Sequence, residues 1–175
     1  MHLKSAYQHE KKQVKIIYID DTQAPTFRAG TPIGEIHLNG SSPRTVHHRR
    51  SELGIDILPA YQGQGYGSEA IRWALEWGFK RTGLHKIRIL AFEWNEGAWK
   101  LYRRLGFVEE GRHREAMWHE GRFWDCIELS MLDREWWALE KEREEQREKE
   151  REKEKEKEKE KEEEGRKDES GVPMI

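Results

Sequence analysis

Apolar residues recur along this chain with two different periods, and the switches between them mark its elements. VKIIYID (14–20) is dense in β-branched and aromatic residues and predicts a strand. PIGEIHLNG (32–40) alternates apolar and polar before stopping at Asn39-Gly40, and predicts a second. ELGIDILPA (52–60) predicts a third, with Leu53, Ile55 and Ile57 on one face and Glu52, Gly54, Asp56 and Leu58 on the other. Pro59 ends it.

The period then changes. Over residues 68–82, Ala70, Ile71, Ala74, Leu75 and Phe79 fall on one helical face, and Gly83 supplies a C-terminal stop. HKIRILAF (85–92) returns to alternation through Ile87, Ile89 and Ala91. Asn95 fits a helix N-cap, the helix runs to Leu105, and Gly106 closes it. FVEEGR (107–112) starts another strand. WHEGRFWDCIELSML turns at Glu120-Gly121 into a last strand ending near Leu132. Strands, helix, strand, helix, strands in that order predict an α/β (α+β) fold, a mixed sheet with helices against it.

Charge redraws the boundaries. Residues 140–164 hold 14 acidic and 10 basic side chains, a net of about −4. The 175-residue chain therefore divides into a globular part, 1–139, and a charged low-complexity tail, 140–175. Strict lysine–glutamate alternation puts unlike charges three apart and like charges four apart, so their effects of about 0.2–0.5 kcal/mol largely cancel. The tail is expected as a solvated, frayed helix or as disordered chain, a solubilising appendage or a docking arm for a partner. The globular part is only slightly basic, which gives no footprint for nucleic acid. No apolar stretch approaches a membrane span, so a soluble cytoplasmic protein is expected. Cys126 is the one cysteine; it forms no internal disulfide and no cysteine-based zinc site, and no metal is expected.

ILPAYQGQGYGSEAI (57–71) runs from strand through glycines into helix. Main-chain amides at such a turn, with the positive end of the helix behind them, suit an anion such as a pyrophosphate. A P-loop is excluded because no Gly-Lys-Ser/Thr follows. A dinucleotide fingerprint would need a third glycine where Ser68 stands and an acidic residue nearer than Glu93. A glycine-rich turn with no ligand is the plainer alternative.

Gln62-Gly63-Gln64-Gly65-Tyr66-Gly67 matches a Gln/Arg-x-x-Gly-x-Gly/Ala signature. Asn95, Ala98, Leu101, Tyr102, Gly106 and Phe107 match Asn-x-x-Ala-x-x-Leu-Tyr-x-x-x-Gly-Phe. With both motifs in this order, the sequence resembles the GNAT superfamily of acyl-CoA N-acyltransferases, in its ribosomal-protein/α-amino acetyltransferase-like branch. Gly111, Arg114, Gly121 and Asp125 also fall where that branch has them, and the likeness covers about residues 16–132. It implies a splayed sheet with acetyl-CoA bound across it as co-substrate. The pantetheine would lie beside strand 53–58, at Ile57 and Leu58. Gln62, Gly63, Gln64, Gly65, Tyr66, Gly67 and Ser68 would hold the pyrophosphate, and Asn95 and Ala98 would touch the cofactor.

Acetyl transfer from a thioester to an amine needs a neutral amine, a donor for the developing oxyanion and a proton for the departing thiolate. A thiol with pKa near 8.5 leaves without a covalent enzyme intermediate, so Cys126 reads as a small core residue. The resemblance implies Tyr102 as the acid; the alternative is an aromatic packing over the sheet. Asn95 serves as helix cap, cofactor contact or both. For the base, Glu52 and Asp56 share one face of the third strand, and Glu35 and His37 one face of the second. A backbone N–H near Ile57 or Leu58 is the implied oxyanion donor.

The family fold opens with a strand and two helices that wall the acceptor site, and only about a dozen polar residues precede Val14 here. A shortened form lacking those elements is expected. The expected activity is acetyl transfer to a primary amine, on a protein N-terminus or a small molecule. The alternative is a non-catalytic CoA-binding remnant whose tail recruits a partner. REAMWHEGRFWD is implied near the acceptor pocket, and Trp136 and Trp137 suit either packing on the domain or a homodimer contact.

Overall fold

The computed structural model describes residues 2–9, 12–19 and 30–169, with backbone alone for 2–9, 12–19 and 159–169. Among the described residues, seven strands form one sheet in the order β1-β2-β3-β4-β5-β7-β6. They are β1 His2–His9, β2 Lys12–Ile19, β3 Thr31–Asn39, β4 Arg50–Ile57, β5 Lys86–Phe92, β6 Val108–His119 and β7 Arg122–Leu132. Only β4 and β5 pair in parallel; the other neighbours are antiparallel.

Helix α1, Tyr66–Glu76, connects β4 to β5, and α2, Glu96–Leu105, connects β5 to β6. Both crossovers move the same way across the sheet, and right-handed connections then place both helices on one face. Their contact agrees: a Cβ added at Gly67 would lie 3.7 Å from Leu101 of α2. Between helices and sheet lies the core predicted from periodicity. Ala70, Ile71, Ala74, Leu75 and Phe79 are buried against Leu53, Ile87, Ile89, Ala91, Ile127 and Leu129. Cys126 is buried as expected. The other face of β4, β5 and β7 is polar, with Glu52, Arg88 and Glu128 on it.

Local signals explain the helix ends. Asn95 caps α2 by accepting from the Ala98 N–H at 3.2 Å, and Gly106 closes it at φ 102°. The Glu120-Gly121 turn joins β6 to β7 with both residues in the left-handed region. The first helix differs from expectation in starting at Tyr66 and in its last turn. Residues Trp77–Arg81 wind as a π turn, with the Thr82 N–H reaching the Trp77 carbonyl at 3.1 Å.

A strand stands where the sequence suggested none. β1 pairs antiparallel with β2, joined by residues 10 and 11, so no helix separates them. HLKSAYQH has too few apolar residues to show alternation; main-chain pairing makes this strand. Asp20, the end of the first predicted strand, lies outside the described residues. β6 breaks register twice, between Glu109 and Gly111 and between His113 and Met117, with Glu115 left-handed at φ 51°.

The chain divides into two compact units, Met1–Trp136 and Trp137–Ile175. In the first, Trp136 is buried with its ring 5.7 Å from that of Phe79. The second unit holds most of α3, which runs Asp133–Glu169, with ion pairs Glu140–Arg143 and Lys141–Glu145 along it. No helix among the described residues is long and apolar enough to cross a membrane.

Candidate functional site

The pairing of β4 with β5 begins at Arg50↔Lys86 and stops at Leu53↔Ile89. Both strands continue, β4 to Ile57 and β5 to Phe92, with no pairing between them. A wedge-shaped gap therefore opens in the middle of the sheet, edged by main-chain groups that need other partners.

The glycine loop stands at the head of this gap. Gln62 reaches back to donate to the Ile57 carbonyl at 2.8 Å, and Gln64 donates to the Ala60 carbonyl at 3.0 Å. These bonds fix the loop while leaving its amides open. None of the six backbone N–H groups of residues 63–68 has a hydrogen-bond partner among the described residues. Gly63 and Gly65 adopt φ 72° and 90°, and a Cβ at either would meet nothing within 4 Å. Left-handed glycines, free amides and a helix N-terminus together make a cradle for a polyanion.

Alternation along β4 sorts the oxyanion donors. The Leu58 N–H donates to the Ile33 carbonyl at 2.8 Å, toward β3, and is thus already paired. The N–H of Ile57, one residue earlier, points the opposite way, into the gap. Ile57 is half-buried and Leu58 exposed.

Tyr102 enters from α2. It is 7% exposed, its ring lies 6.1 Å from that of Phe107, and its hydroxyl makes no hydrogen bond to the described residues. Burial, and then the negative charge of Asp56, push the phenol up to about 12. It is a protonated donor at any ordinary pH, and Asp56 is its electrostatic neighbour. Asn95 spends its carbonyl on the cap, and Ala98 is half-buried beside it.

The structure separates the two β4 carboxylates that the sequence left equal. Glu52 lies where the strands still pair; it meets Arg88 at 2.7 Å and accepts from Asn39 at 3.3 Å. That engagement holds Glu52 short of the gap. Asp56 is exposed at the open end. Cys126 is held as a thiol, its pKa raised by burial and then by Glu128 and Glu52.

Two features escaped the sequence reading. His37 lies flat over Gly54: a Cβ at residue 54 would be 2.4 Å from its Cε1 and Nε2. Only the cross-strand register, His37↔Gly54, reveals why that glycine is there. Around the end of β5 and the β6–β7 turn, Phe92 stacks on Trp94 at 4.5 Å, Trp94 on His119 at 4.4 Å, and Trp124 meets Trp94 edge-on at 5.7 Å. The segment REAMWHEGRFWD contributes His119 and Trp124 to this wall.

Residues 5–107 match the model of the acetyltransferase (GNAT) family. The chain belongs to that family. Among curated GNAT relatives, a spermidine N(1)-acetyltransferase of Escherichia coli is 33% identical over 94 residues, covering 54% of this chain and 50% of that protein. The putative ribosomal N-acetyltransferase YdaF of Bacillus subtilis is 32% identical over 89 residues, covering 51% and 49%. The chain thus spans about half the length of these relatives. A solved structure of spermidine N-acetyltransferase from Vibrio cholerae, in complex with CoA and spermine, superposes with a TM-score of 0.64 at 27% identity, over 73% of this chain and 69% of that one. The mixed sheet flanked by helices is the GNAT fold.

Proposed function

We propose that this chain is an N-acetyltransferase that moves the acetyl group of acetyl-CoA to a primary amine by direct attack. The observation that carries this reading is the run of free amides at residues 63–68 standing at the head of the β4–β5 gap. The residues fit the co-substrate: the amides bind the pyrophosphate, and the unpaired edges of the gap receive the pantetheine. The thioester supplies the acetyl group. Relatives named a spermidine N(1)-acetyltransferase and a putative ribosomal N-acetyltransferase support an amine as acceptor.

Each remaining role falls to a residue of the gap. Asp56 takes a proton from the incoming amine, directly or through water, leaving its nitrogen lone pair free to attack the thioester carbon. The Ile57 N–H stabilises the negative charge that gathers on the carbonyl oxygen. As the C–N bond forms and the C–S bond breaks, Tyr102 gives its proton to the leaving sulfur, and the second proton shed by the nitrogen returns through water to the Tyr102 oxygen. Asn95 offers its side-chain amide to the cofactor. The globular part, 1–139, would hold all of this, with 140–175 as appendage.

A second reading is CoA binding without turnover, with the charged tail recruiting a partner. It draws on the direct β1–β2 connection, which leaves no helix where the family resemblance implies two walling the acceptor. One series separates the readings. Acetyl-CoA and CoA, but not NAD, should raise the melting temperature, by the equivalent of about 2.7 kcal/mol at a hundredfold excess over Kd. Thiol release on adding an amine then selects the transferase. Stabilisation with no thiol release under any amine rejects it, and no stabilisation rejects both.

A further inference from the structure

A second opening lies on the polar face of the sheet, at the end away from the glycine loop. There the connector 40–49 passes beside the first residues of β4 and β5 and leaves a hollow of about 330 Å³. Arg50 and Ile57 stand at opposite ends of β4, so roughly 23 Å separates this hollow from the cofactor gap. Its rim is tied. The Ser41 hydroxyl donates to the Arg50 carbonyl and the Ser51 hydroxyl to the Asn39 carbonyl, each at 2.7 Å. Arg49 holds a left-handed φ of 47°, rare for a residue with a side chain, and its carbonyl accepts from the His85 N–H at 2.6 Å.

The lining decides what the hollow can hold. No apolar side chain contributes to it, which disfavours an acyl chain or a nucleobase. Its charges are compensated, with one exception. Arg88 meets Glu52 at 2.7 Å and Glu128 at 3.3 Å, and Lys86 turns to Glu110 at 2.5 Å. Arg50, the direct partner of Lys86 across the strand pair, meets no carboxylate among the described residues. The uncompensated charge is therefore positive, on a guanidinium whose planar fork matches a phosphate. Ser42 Oγ and Thr45 Oγ1 also line the hollow, 3.2 Å apart. The main-chain N–H groups of Ser41, Ser42 and Arg44 have no partner among the described residues.

We infer that this hollow is a second ligand site, for a small hydroxylated phosphate monoester of the sugar-phosphate class. Arg50 takes the phosphate, and the hydroxyls of Ser42 and Thr45 add hydrogen bonds to it. Glu52 and Glu128, already neutralised by Arg88 between them, keep lone pairs to accept from the sugar hydroxyls. The volume exceeds what bare phosphate fills, and the wholly polar lining suits a ligand that is polar throughout. The site needs neither acetyl-CoA nor the transferase reaction.

The test is calorimetry on the full chain, titrating ribose 5-phosphate, ribose and inorganic phosphate into wild type, Arg50→Gln and Gly65→Val. Wild type should bind ribose 5-phosphate about tenfold or more tightly than either ribose or phosphate. Arg50→Gln should lose about tenfold or more of that affinity, as expected for a hydrogen-bonded charge, with its melting temperature and its thermal shift on acetyl-CoA unchanged. Gly65→Val, altered at the glycine loop, should keep the wild-type affinity for ribose 5-phosphate. No binding by wild type, equal affinity for ribose or phosphate, or an affinity that survives Arg50→Gln overturns the inference. Binding lost in Gly65→Val and kept in Arg50→Gln would put the sugar phosphate at the glycine loop and overturn it as well.

Discussion

Leu53 and Ile89 are the last residues to pair β4 with β5, and Asp56, Ile57 and Phe92 all lie beyond them. The parting of these strands turns the centre of a sheet, ordinarily the most fully hydrogen-bonded part of a fold, into a place with main-chain groups to spare. Tyr102 reaches this opening from the helical face, while Asp56 stands on the open one.

Tyr102→Phe keeps the ring against Phe107 and deletes the proton. The kcat should fall about 10²–10⁴-fold with acetyl-CoA affinity held, as read from steady-state kinetics and calorimetry. A loss below tenfold would make Tyr102 a packing residue.

The same phenol makes stability depend on alkaline pH. Its folded pKa of about 12 exceeds the unfolded value near 10, so the unfolded chain releases the proton first. No penalty exists below about pH 10, and stability falls from there through about pH 12, by a total on the order of 2–3 kcal/mol. Urea unfolding at stepped pH should show a steeper alkaline decline for wild type than for Tyr102→Phe.

Gly65→Val separates fold from ligand. A left-handed φ of 90° makes the side chain cost about 1–2 kcal/mol, yet its Cβ meets nothing in the protein. The variant should melt modestly lower and lose its response to acetyl-CoA altogether. A retained thermal shift would move the pyrophosphate elsewhere.

Gly34→Ala tests the strand pair that carries Glu35 and Asp56. The added Cβ would stand 2.2 Å from the Asp56 carbonyl oxygen, and backbone on both sides cannot rotate away. Equilibrium unfolding should show a loss of about 1–3 kcal/mol.

Asn95→Asp keeps the helix cap and Asn95→Ala removes it, at about 1 kcal/mol. If Asn95 also donates to the cofactor, both variants bind acetyl-CoA more weakly, while only the alanine variant melts lower.

Most of the framework was legible because period and punctuation agreed. The stripe Ala70, Ile71, Ala74, Leu75, Phe79, the cap at Asn95 and the stop at Gly106 are local statements, and each stands where read. The opening was not legible in this way, since it depends on which residues of two distant strands pair. Glu52 and Asp56 share one face of one strand, and only their positions before and after Leu53 make one an ion-paired side chain and the other an exposed one. The role of Gly54 waits on His37, seventeen residues away, for the same reason. β1 stayed hidden because a strand held mainly by its neighbour's backbone leaves little mark on side-chain pattern.

The two register breaks of β6 matter to the molecule's company as well as its shape. β6 is the outermost strand on its side, and Glu109, Arg112, His113, Arg114 and Glu115 line it around the left-handed kink at Glu115. A rim that is bent and studded with charge is a poor template for another chain's extended backbone. Crowded solutions of this protein should therefore resist sheet-to-sheet growth at that border, and straightening the kink would weaken that protection.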